Sequence, residues 1–169
     1  MTLLPRFFAE YQHRNDVELR RVVPGSSDRV QEAMAYAVHA PAKRIRPVLT
    51  MLTAELCGGS GARAMTAACS IEMIHAASLI LDDLPVMDDS PVRRGKPATH
   101  VSFGEAMALL AAFGLLSGAF SAIARGYEPS LGSRIAALLS DAVGAEGLIG
   151  GQAADLLATD RQITFETLE

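Results

Sequence analysis

The chain has 169 residues, of which 50% are hydrophobic and 5% are aromatic, and it contains no Trp. A chain of this length and composition can bury one core of closely packed aliphatic side chains. Its formal net charge of −4 at pH 7 argues against a broad basic face, so the sequence excludes nucleic acid as an expected partner.

The N-terminal segment gives no sign of export. Charged residues occur within the first ten positions, and no apolar run is long enough for a signal peptide. The two cysteines, Cys57 and Cys69, lack metal-ligand spacing and lie in apolar helical sequence, which is typical of buried, reduced thiols. We therefore expect a cytoplasmic protein.

Apolar residues recur at spacings of three and four, and Gly and Pro separate the segments, which predicts an all-α fold. The predicted helices cover residues 3–21, 28–39, 47–56, 62–84, 105–127, 131–143 and 146–157. The second follows a predicted cap at Ser26 and Ser27, and the third stops before Gly58 and Gly59. Without an interdomain linker, residues 1–169 are predicted to form a single helical domain.

Positive charge is concentrated in two short groups that contain both lysines of the chain. The first consists of Lys43, Arg44 and Arg46, and the second of Arg93, Arg94 and Lys96. Two local basic sites in an acidic protein favour small anions over a long polyanion. Solvated helix ends are the alternative interpretation.

The predicted helix 62–84 carries a polar stripe. His75, Ser78 and Asp82 are spaced i, i+3 and i+7, so a continuous helix places them on one face. Pro85 removes a backbone donor and should end or kink the helix just before it. Asp88 would then lie in the following turn and could fold back toward Asp82.

Residues 82–89 contain four carboxylates, which repel one another beside apolar helix sequence unless a cation is bound. Oxygen ligands without Cys or His favour Mg²⁺, which proteins hold with one or two carboxylates plus substrate phosphate oxygens. Arg93 and Arg94 follow closely, and arginine forks bind phosphate oxygens. The pattern predicts a diphosphate clamp, with a solvated acidic loop or a surface salt-bridge network as alternatives.

Residues 106–124 contain no charged side chain and are about long enough to span a bilayer. The segment is rich in Ala, Gly and Ser, which favours a helix buried on all sides of a bundle over a stable membrane anchor. A membrane-anchored helical protein remains the weaker alternative.

The C-terminal part contributes two further patterns. Gly144, Gly147 and Gly150 have a spacing that allows close helix approach, and without a preceding strand they are not a dinucleotide fingerprint. Residues 163–169 resemble the Thr-capped start of a helix, with an acidic first turn.

Four motifs then occur in order: KRIRP at 43–47, DDLPVMDD at 82–89, RRGKP at 93–97 and GGQAADLL at 150–157. Together they resemble the trans-prenyl diphosphate synthase family, in particular its geranylgeranyl and farnesyl branch, over about residues 30–169. The resemblance implies an all-α helical bundle of the isoprenoid synthase type, truncated after about the first half.

The resemblance also implies a reaction: the Mg²⁺-dependent condensation of isopentenyl diphosphate with an allylic diphosphate. Asp82 and Asp88 would bind Mg²⁺, Asp83 would support them, and Arg93 would hold the allylic diphosphate. Metal and arginine stabilise a departing diphosphate while a carbocation forms. These four residues are the candidate catalytic residues.

Further roles are carried over from the same motifs. The residues implied to hold the diphosphate of isopentenyl diphosphate are Lys43, Arg46, His75 and Arg94. Gln152 and Asp155 would line the catalytic cavity. Ala77 and Ser78 stand where the family sets product length, and their small size implies geranylgeranyl diphosphate or longer, although helix packing explains small residues almost as well.

Several departures from the family keep a second hypothesis open. The family's second aspartate-rich motif does not occur within the 169 residues, and Ala112-Phe113 replace a usual Gly-Asp. The alternative is a truncated, non-catalytic helical subunit or decaying homologue that partners a full-length synthase. Family members are usually dimers, so we expect a homodimer or a dimer with such a synthase.

Overall fold

A computed structural model describes residues 6–158 of the chain, and the all-α prediction is confirmed over this range. Its helices are α1 Arg6–Val22, α2 Arg29–Val38, α3 Ile45–Leu56, α4 Gly61–Asp82, α5 Thr99–Phe103, α6 Glu105–Gly126, α7 Pro129–Val143 and α8 Leu148–Ala158. The predicted helix start at residues 163–169 lies outside the described residues.

The start of the second helix differs from the prediction. The N-cap of α2 is Asp28, whose carboxylate accepts from the backbone N–H groups of Val30 and Gln31, so the predicted cap at Ser26 and Ser27 is wrong. Ser26 instead accepts a hydrogen bond from the backbone of Asp28, at 3.2 Å. A carboxylate satisfies two orphan donors there and also suits the positive end of the helix dipole.

A short hairpin between α4 and α5 was not predicted from the sequence. Strands β1 (Val92–Arg93) and β2 (Lys96–Pro97) pair antiparallel, with Arg93 opposite Lys96. The two residues between them have φ angles of 53° at Arg94 and 75° at Gly95. Positive φ at both central positions is the signature of a tight type I′ turn, for which Gly is the favoured second residue.

The chain divides into two compact units, Met1–Tyr127 and Glu128–Glu169. In the first unit α4 is central, because α3 and α6 both pack along it, α2 also contacts α6, and α1 contacts α3 and α4. Fully buried side chains in this core include Leu19, Val48, Met51, Met73, Leu115 and Ile123. The predicted single domain over 1–169 stays a prediction, because a division by contacts does not test independent folding.

Helix α6 is buried on one face only, so the expectation of a helix covered on all sides is wrong for the single chain. Its buried residues, Ala108, Ala111, Ala112, Leu115, Ala119 and Ile123, follow the helical repeat. On the other face Leu109, Leu110 and Phe113 are exposed, Phe113 to 65%. Helices α4 and α6 are both long and apolar enough to cross a membrane, but core helices meet the same criterion, so this observation is weak.

The second unit contains α7 and α8. Glu128 caps α7 by accepting from the backbone of Ser130 and Leu131, and Pro129 occupies the first turn. A side chain at Gly147 or Gly150 would meet the carbonyl oxygen of Ala142 or Ala145. These glycines therefore allow close approach to the preceding turn of their own chain, whereas the spacing had suggested approach between helices.

Candidate active site

The C-terminal end of α4 and the turn after it form the acidic part of the candidate site. The helix is continuous from His75 through Asp82, and Asp83 is its C-cap. The backbone N–H of Asp88 donates to the carbonyl oxygen of Asp82 at 2.9 Å. The turn that contains Pro85 thus folds back onto the end of the helix, as the sequence predicts, and brings the backbones of Asp82 and Asp88 together.

Arg93 joins this acidic turn from the hairpin. Its Nε donates to Oδ1 of Asp83 at 2.8 Å, and its Nη2 donates to the same oxygen. The Asp83 side chain is only 3% exposed. The hydrogen bond to Asp83 raises the pKa of Arg93, and the charges of Asp82 and Asp88 raise it further. One guanidinium therefore lies in the field of all three carboxylates.

The basic part is a cavity of about 480 Å³ beside α4, which we call the basic cavity. It is lined by Pro41, Ala42, Lys43, Arg44, Ile45, Arg46, Glu72, His75 and Arg94. Nη1 of Arg46 and Nη2 of Arg94 each lie 3.4 Å from Nε2 of His75. Three elements therefore contribute: the α2–α3 connection with the start of α3, one face of α4, and the hairpin.

His75 is a neutral imidazole in this arrangement. Burial, followed by the positive charges of Arg46 and Arg94, lowers its pKa to about 4. Because both neighbouring guanidinium groups can only donate, Nε2 acts as the acceptor and the ring proton resides on Nδ1. A bound anion could replace Nε2 as the acceptor for both arginines.

The turn of the hairpin connects the acidic and basic parts. Arg93 is directed to Asp83, whereas Arg94, the next residue, is directed to His75. Asp83, Arg93 and Arg94 also line one smaller cavity together. The hairpin therefore brings Asp83 and Arg93 of the acidic part and Arg94 of the basic part to the wall of one cavity.

A magnesium ion fits the donor set without an all-protein cage. Within residues 6–158, no three His, Cys, Asp or Glu side chains form a group that could hold a metal. Mg²⁺ keeps several waters and is commonly bound by one or two carboxylates plus substrate phosphates, so Asp82 and Asp88 would be enough as protein ligands if a substrate supplied phosphate oxygens. Asp88 is exposed and Asp82 half-buried, which leaves room for water and phosphate.

The remaining predicted residues occupy different places. Ala77 is buried on α4, and the hydroxyl of Ser78 donates to the carbonyl oxygen of His75 at 3.0 Å. Lys43 is exposed at the rim of the basic cavity. Gln152 and Asp155 lie one turn apart on α8, in the second unit.

The sequence did not predict that Arg44 and Glu72 pair with each other in the wall of the basic cavity. Arg44 is 4% exposed and Glu72 is 2% exposed, and they form an ion pair of 2.6 Å. The sequence carried one signal for Glu72: it is the charged residue in an apolar stretch of α4, three positions before His75. Such a carboxylate is seldom buried without a cationic partner.

Three comparisons place the chain among known proteins. The polyprenyl synthetase family model matches residues 27–169. The chain is 46% identical over 145 residues to a farnesyl diphosphate synthase of Geobacillus stearothermophilus, covering 83% of this chain and 49% of that protein. It is 46% identical over 150 residues to a geranylgeranyl diphosphate synthase of Pantoea ananas, covering 86% of this chain and 50% of that protein.

A solved structure agrees with these matches. The crystal structure of an apo FPP/GFPP synthase from Zymomonas mobilis superposes with a TM-score of 0.89 and 33% identity, covering 96% of this chain and 62% of that chain. The chain thus spans about half the length of the curated relatives that it matches.

Proposed function

Because the chain belongs to the polyprenyl synthetase family, we propose that it carries the diphosphate-binding residues of a prenyltransferase that condenses isopentenyl diphosphate with an allylic diphosphate. The family and the isoprenoid synthase type of bundle, both predicted from the motifs, are confirmed. The observation that carries the proposal is the hairpin turn, which directs Arg93 to an acidic site and Arg94 to a basic one.

The acidic part is proposed to bind the allylic diphosphate. Asp82 and Asp88 would hold Mg²⁺, which when bound supplies a Lewis acid for the charge of the departing diphosphate. Asp83 engages Nε and one N–H of Nη2 of Arg93, so the N–H groups of Nη1 and the second N–H of Nη2 can donate to a diphosphate oxygen. Held by two hydrogen bonds to one buried carboxylate, this guanidinium loses little entropy on binding the anion.

The basic cavity is proposed to bind the diphosphate of isopentenyl diphosphate through Lys43, Arg46, His75 and Arg94. Its volume of about 480 Å³ accommodates a diphosphate group, and three of these residues are cationic. Neutral His75 adds a hydrogen-bonding group without adding repulsion between the arginines. This part of the site needs no metal, because its cations neutralise the anion directly.

Product length is proposed to depend on the small residues one turn before Asp82. The small side chains of Ala77 and Ser78 support geranylgeranyl diphosphate or a longer product over farnesyl diphosphate. The role of Gln152 and Asp155 on α8 stays a prediction from the motif resemblance. In an active enzyme, Ala77→Tyr should shorten the product measured by chromatography. An unchanged product length would show that other residues limit the growth of the product.

We also propose an oligomeric state and a cellular location. The exposed apolar face of α6, formed by Leu109, Leu110 and Phe113, supports a dimer, because exposed apolar patches usually mark interaction sites. We propose a cytoplasmic homodimer without a membrane anchor, in which both free cysteines, Cys57 and Cys69, stay reduced. Neither nucleic acid nor a lipid surface is a proposed partner.

Titration calorimetry with a bisphosphonate tests the proposed function. In Mg²⁺ the chain should bind the compound, and EDTA should weaken the affinity at least tenfold. Asp82→Ala should bind in Mg²⁺ no better than the unaltered chain binds in EDTA. Asp89→Asn is the matched control: Asp89 is exposed in the same turn, and Asn accepts its backbone φ of 48°. Full Mg²⁺-dependent binding by Asp82→Ala would contradict the proposal.

A further inference from the structure

A buried ion pair lies at the wall of the basic cavity. Nη1 of Arg44 donates to Oε1 of Glu72 at 2.6 Å, and the two side chains are 3% and 2% exposed. Removing one member of such a pair leaves an uncompensated charge in a poorly solvated place. The pair therefore restricts the position of the α2–α3 loop, which carries Arg44, relative to α4, which carries Glu72.

Arg44 fixes the loop between α2 and α3. Its Nε donates to Asp16 on α1 at 2.8 Å, and its Nη2 donates to the carbonyl oxygens of Val38 at 2.8 Å and Ala40 at 3.3 Å. All three guanidinium nitrogens are thus engaged by the protein. Arg44 lies between Lys43 and Arg46 in sequence, so its fixation also fixes the backbone of these two proposed ligands.

The backbone of Arg44 shows the same constraint. Its φ of 52° is in the left-handed region, which is sterically unfavourable for a residue with a side chain. The four bonds of its side chain hold this conformation, which directs the chain into α3. The loop is therefore over-determined by a buried side chain, four of whose five N–H donors are bound by the protein.

Glu72 also faces a second arginine. Its Oε1 lies 4.0 Å from Nη2 of Arg94, which in turn lies 3.4 Å from His75. Burial lowers the pKa of Arg94, and the charge of Glu72 opposes this effect. Glu72 is the one carboxylate among the residues that line the basic cavity.

A carboxylate beside an anion site could also weaken binding by repulsion. Glu72 is already paired with Arg44 at 2.6 Å, so the two charges largely cancel for a ligand on the other side of the cavity. The geometric effect does not cancel, because one oxygen of Glu72 binds Arg44 at 2.6 Å and lies 4.0 Å from Nη2 of Arg94. We expect positioning to dominate over repulsion.

We propose that Glu72 is a positioning residue of the diphosphate site, which acts through Arg44 and Arg94 so that the cations of the basic cavity converge on one diphosphate group before it binds. The inference rests on the proposed function and assigns a role to a residue outside the proposed ligands. Preorganised donors bind more tightly because their ordering cost has been met during folding.

The test is calorimetric binding of inorganic diphosphate to this chain in EDTA, which removes the metal-dependent part of the site. Glu72→Gln preserves the shape of the side chain and removes its charge, and it should weaken binding at least tenfold. Asp16→Asn is the matched control, because Asp16 contacts Arg44 but not Arg94. It should weaken binding by less than threefold.

A double-mutant cycle separates positioning from general loss of stability. In an Arg94→Gln background, Glu72→Gln should cause at most half the loss, on a logarithmic scale, that it causes in the unaltered chain. Equal losses in the two backgrounds would overturn the inference. Circular dichroism at the binding temperature verifies that each variant is folded.

Two further results have defined meanings. If Glu72→Gln does not fold, Glu72→Asp retains the charge but withdraws it from both arginines, and it should weaken binding at least threefold. Unchanged affinity in that variant would overturn the inference.

If the unaltered chain does not bind diphosphate, the proposed function fails first. If the unaltered chain and Glu72→Gln bind equally well, the inference fails alone.

Discussion

His75 lies between two guanidinium groups, and this position links its protonation to folding. Its pKa is lowered from 6.5 to about 4 by burial and by the arginines around it. Above pH 6.5 the ring is neutral in the folded and unfolded states, so it costs no stability. As the pH falls from about 6.5 to about 4, the unfolded chain takes up a proton that the folded chain refuses, and the free energy of unfolding decreases.

Urea unfolding at pH 7 and pH 5 tests this linkage. The unaltered chain should lose more stability between the two pH values than His75→Gln, which has no titrating ring. His13→Gln is the control, because His13 is exposed on α1, and its pH dependence should match the unaltered chain. An identical pH dependence for His75→Gln would show that the imidazole is not held neutral by its surroundings.

Individual residues of the site were predictable to different degrees. The carboxylates of residues 82–89 and the arginines after them were visible as clusters, and a continuous helix sufficed to place His75 and Asp82. The sequence did not predict which side chains form hydrogen bonds or ion pairs with these groups. Nothing in the sequence distinguished Arg44 from Arg46. In the structure Arg44 is buried and forms hydrogen bonds with α1, α2 and α4, because tertiary packing decides which arginine remains available for a ligand.

Among the elements, the hairpin has the largest effect on the site because its turn separates Arg93 from Arg94. Gly95 has a φ of 75° and open space around its Cα, so the constraint there is on the backbone and not on volume. Replacing it with Ala imposes a left-handed conformation on a residue that disfavours it, at a cost of about 1 to 2 kcal/mol. The turn would relax at the expense of the positions of both arginines.

Gly95→Ala should therefore weaken Mg²⁺-dependent bisphosphonate binding about threefold to tenfold. It should weaken metal-free diphosphate binding by a similar factor. Gly25→Ala is the control, because this loop glycine also has open space but no positive φ. Calorimetry on both variants tests the prediction, and equal affinities for Gly95→Ala and Gly25→Ala would show that the turn geometry does not matter for binding.

The sequence predicted the long helices better than the short elements. α4 and α6 were placed to within two residues at both ends, since each has a long apolar repeat between clear breaks. Strands of two residues are too short for an alternating pattern, and α5 has only five residues, so neither was predicted. Both depend on the contacts of the hairpin: Tyr36 on α2 donates to the carbonyl oxygen of Pro97 at 2.8 Å.

At the scale of the whole molecule, the exposed face of α6 predicts self-association. Phe113 is 65% exposed and lies beside Leu109 and Leu110, so Phe113→Glu should weaken the proposed dimer. Leu56→Glu is the control, because Leu56 is 88% exposed at the end of α3. Sedimentation equilibrium should show dimers for the unaltered chain and Leu56→Glu, and monomers for Phe113→Glu. A monomeric unaltered chain would contradict the proposed dimer.

The fold class and the family followed from periodicity and from four ordered motifs. The division of the chain into two compact units could not be predicted from the sequence, because local residue patterns do not show which distant segments contact each other. The one-sided burial of α6 was also missed. Its small residues fit a buried helix equally well whether the cover comes from this chain or from another.

A crystal structure of the chain with Mn²⁺ in place of Mg²⁺ and with inorganic diphosphate would test the central claim most directly, since anomalous scattering locates the metal. We predict Mn²⁺ bound by carboxylate oxygens of Asp82 and Asp88, with the diphosphate contacting both the metal and Arg93. Diphosphate bound away from Arg93, or a metal that contacts neither Asp82 nor Asp88, would contradict it.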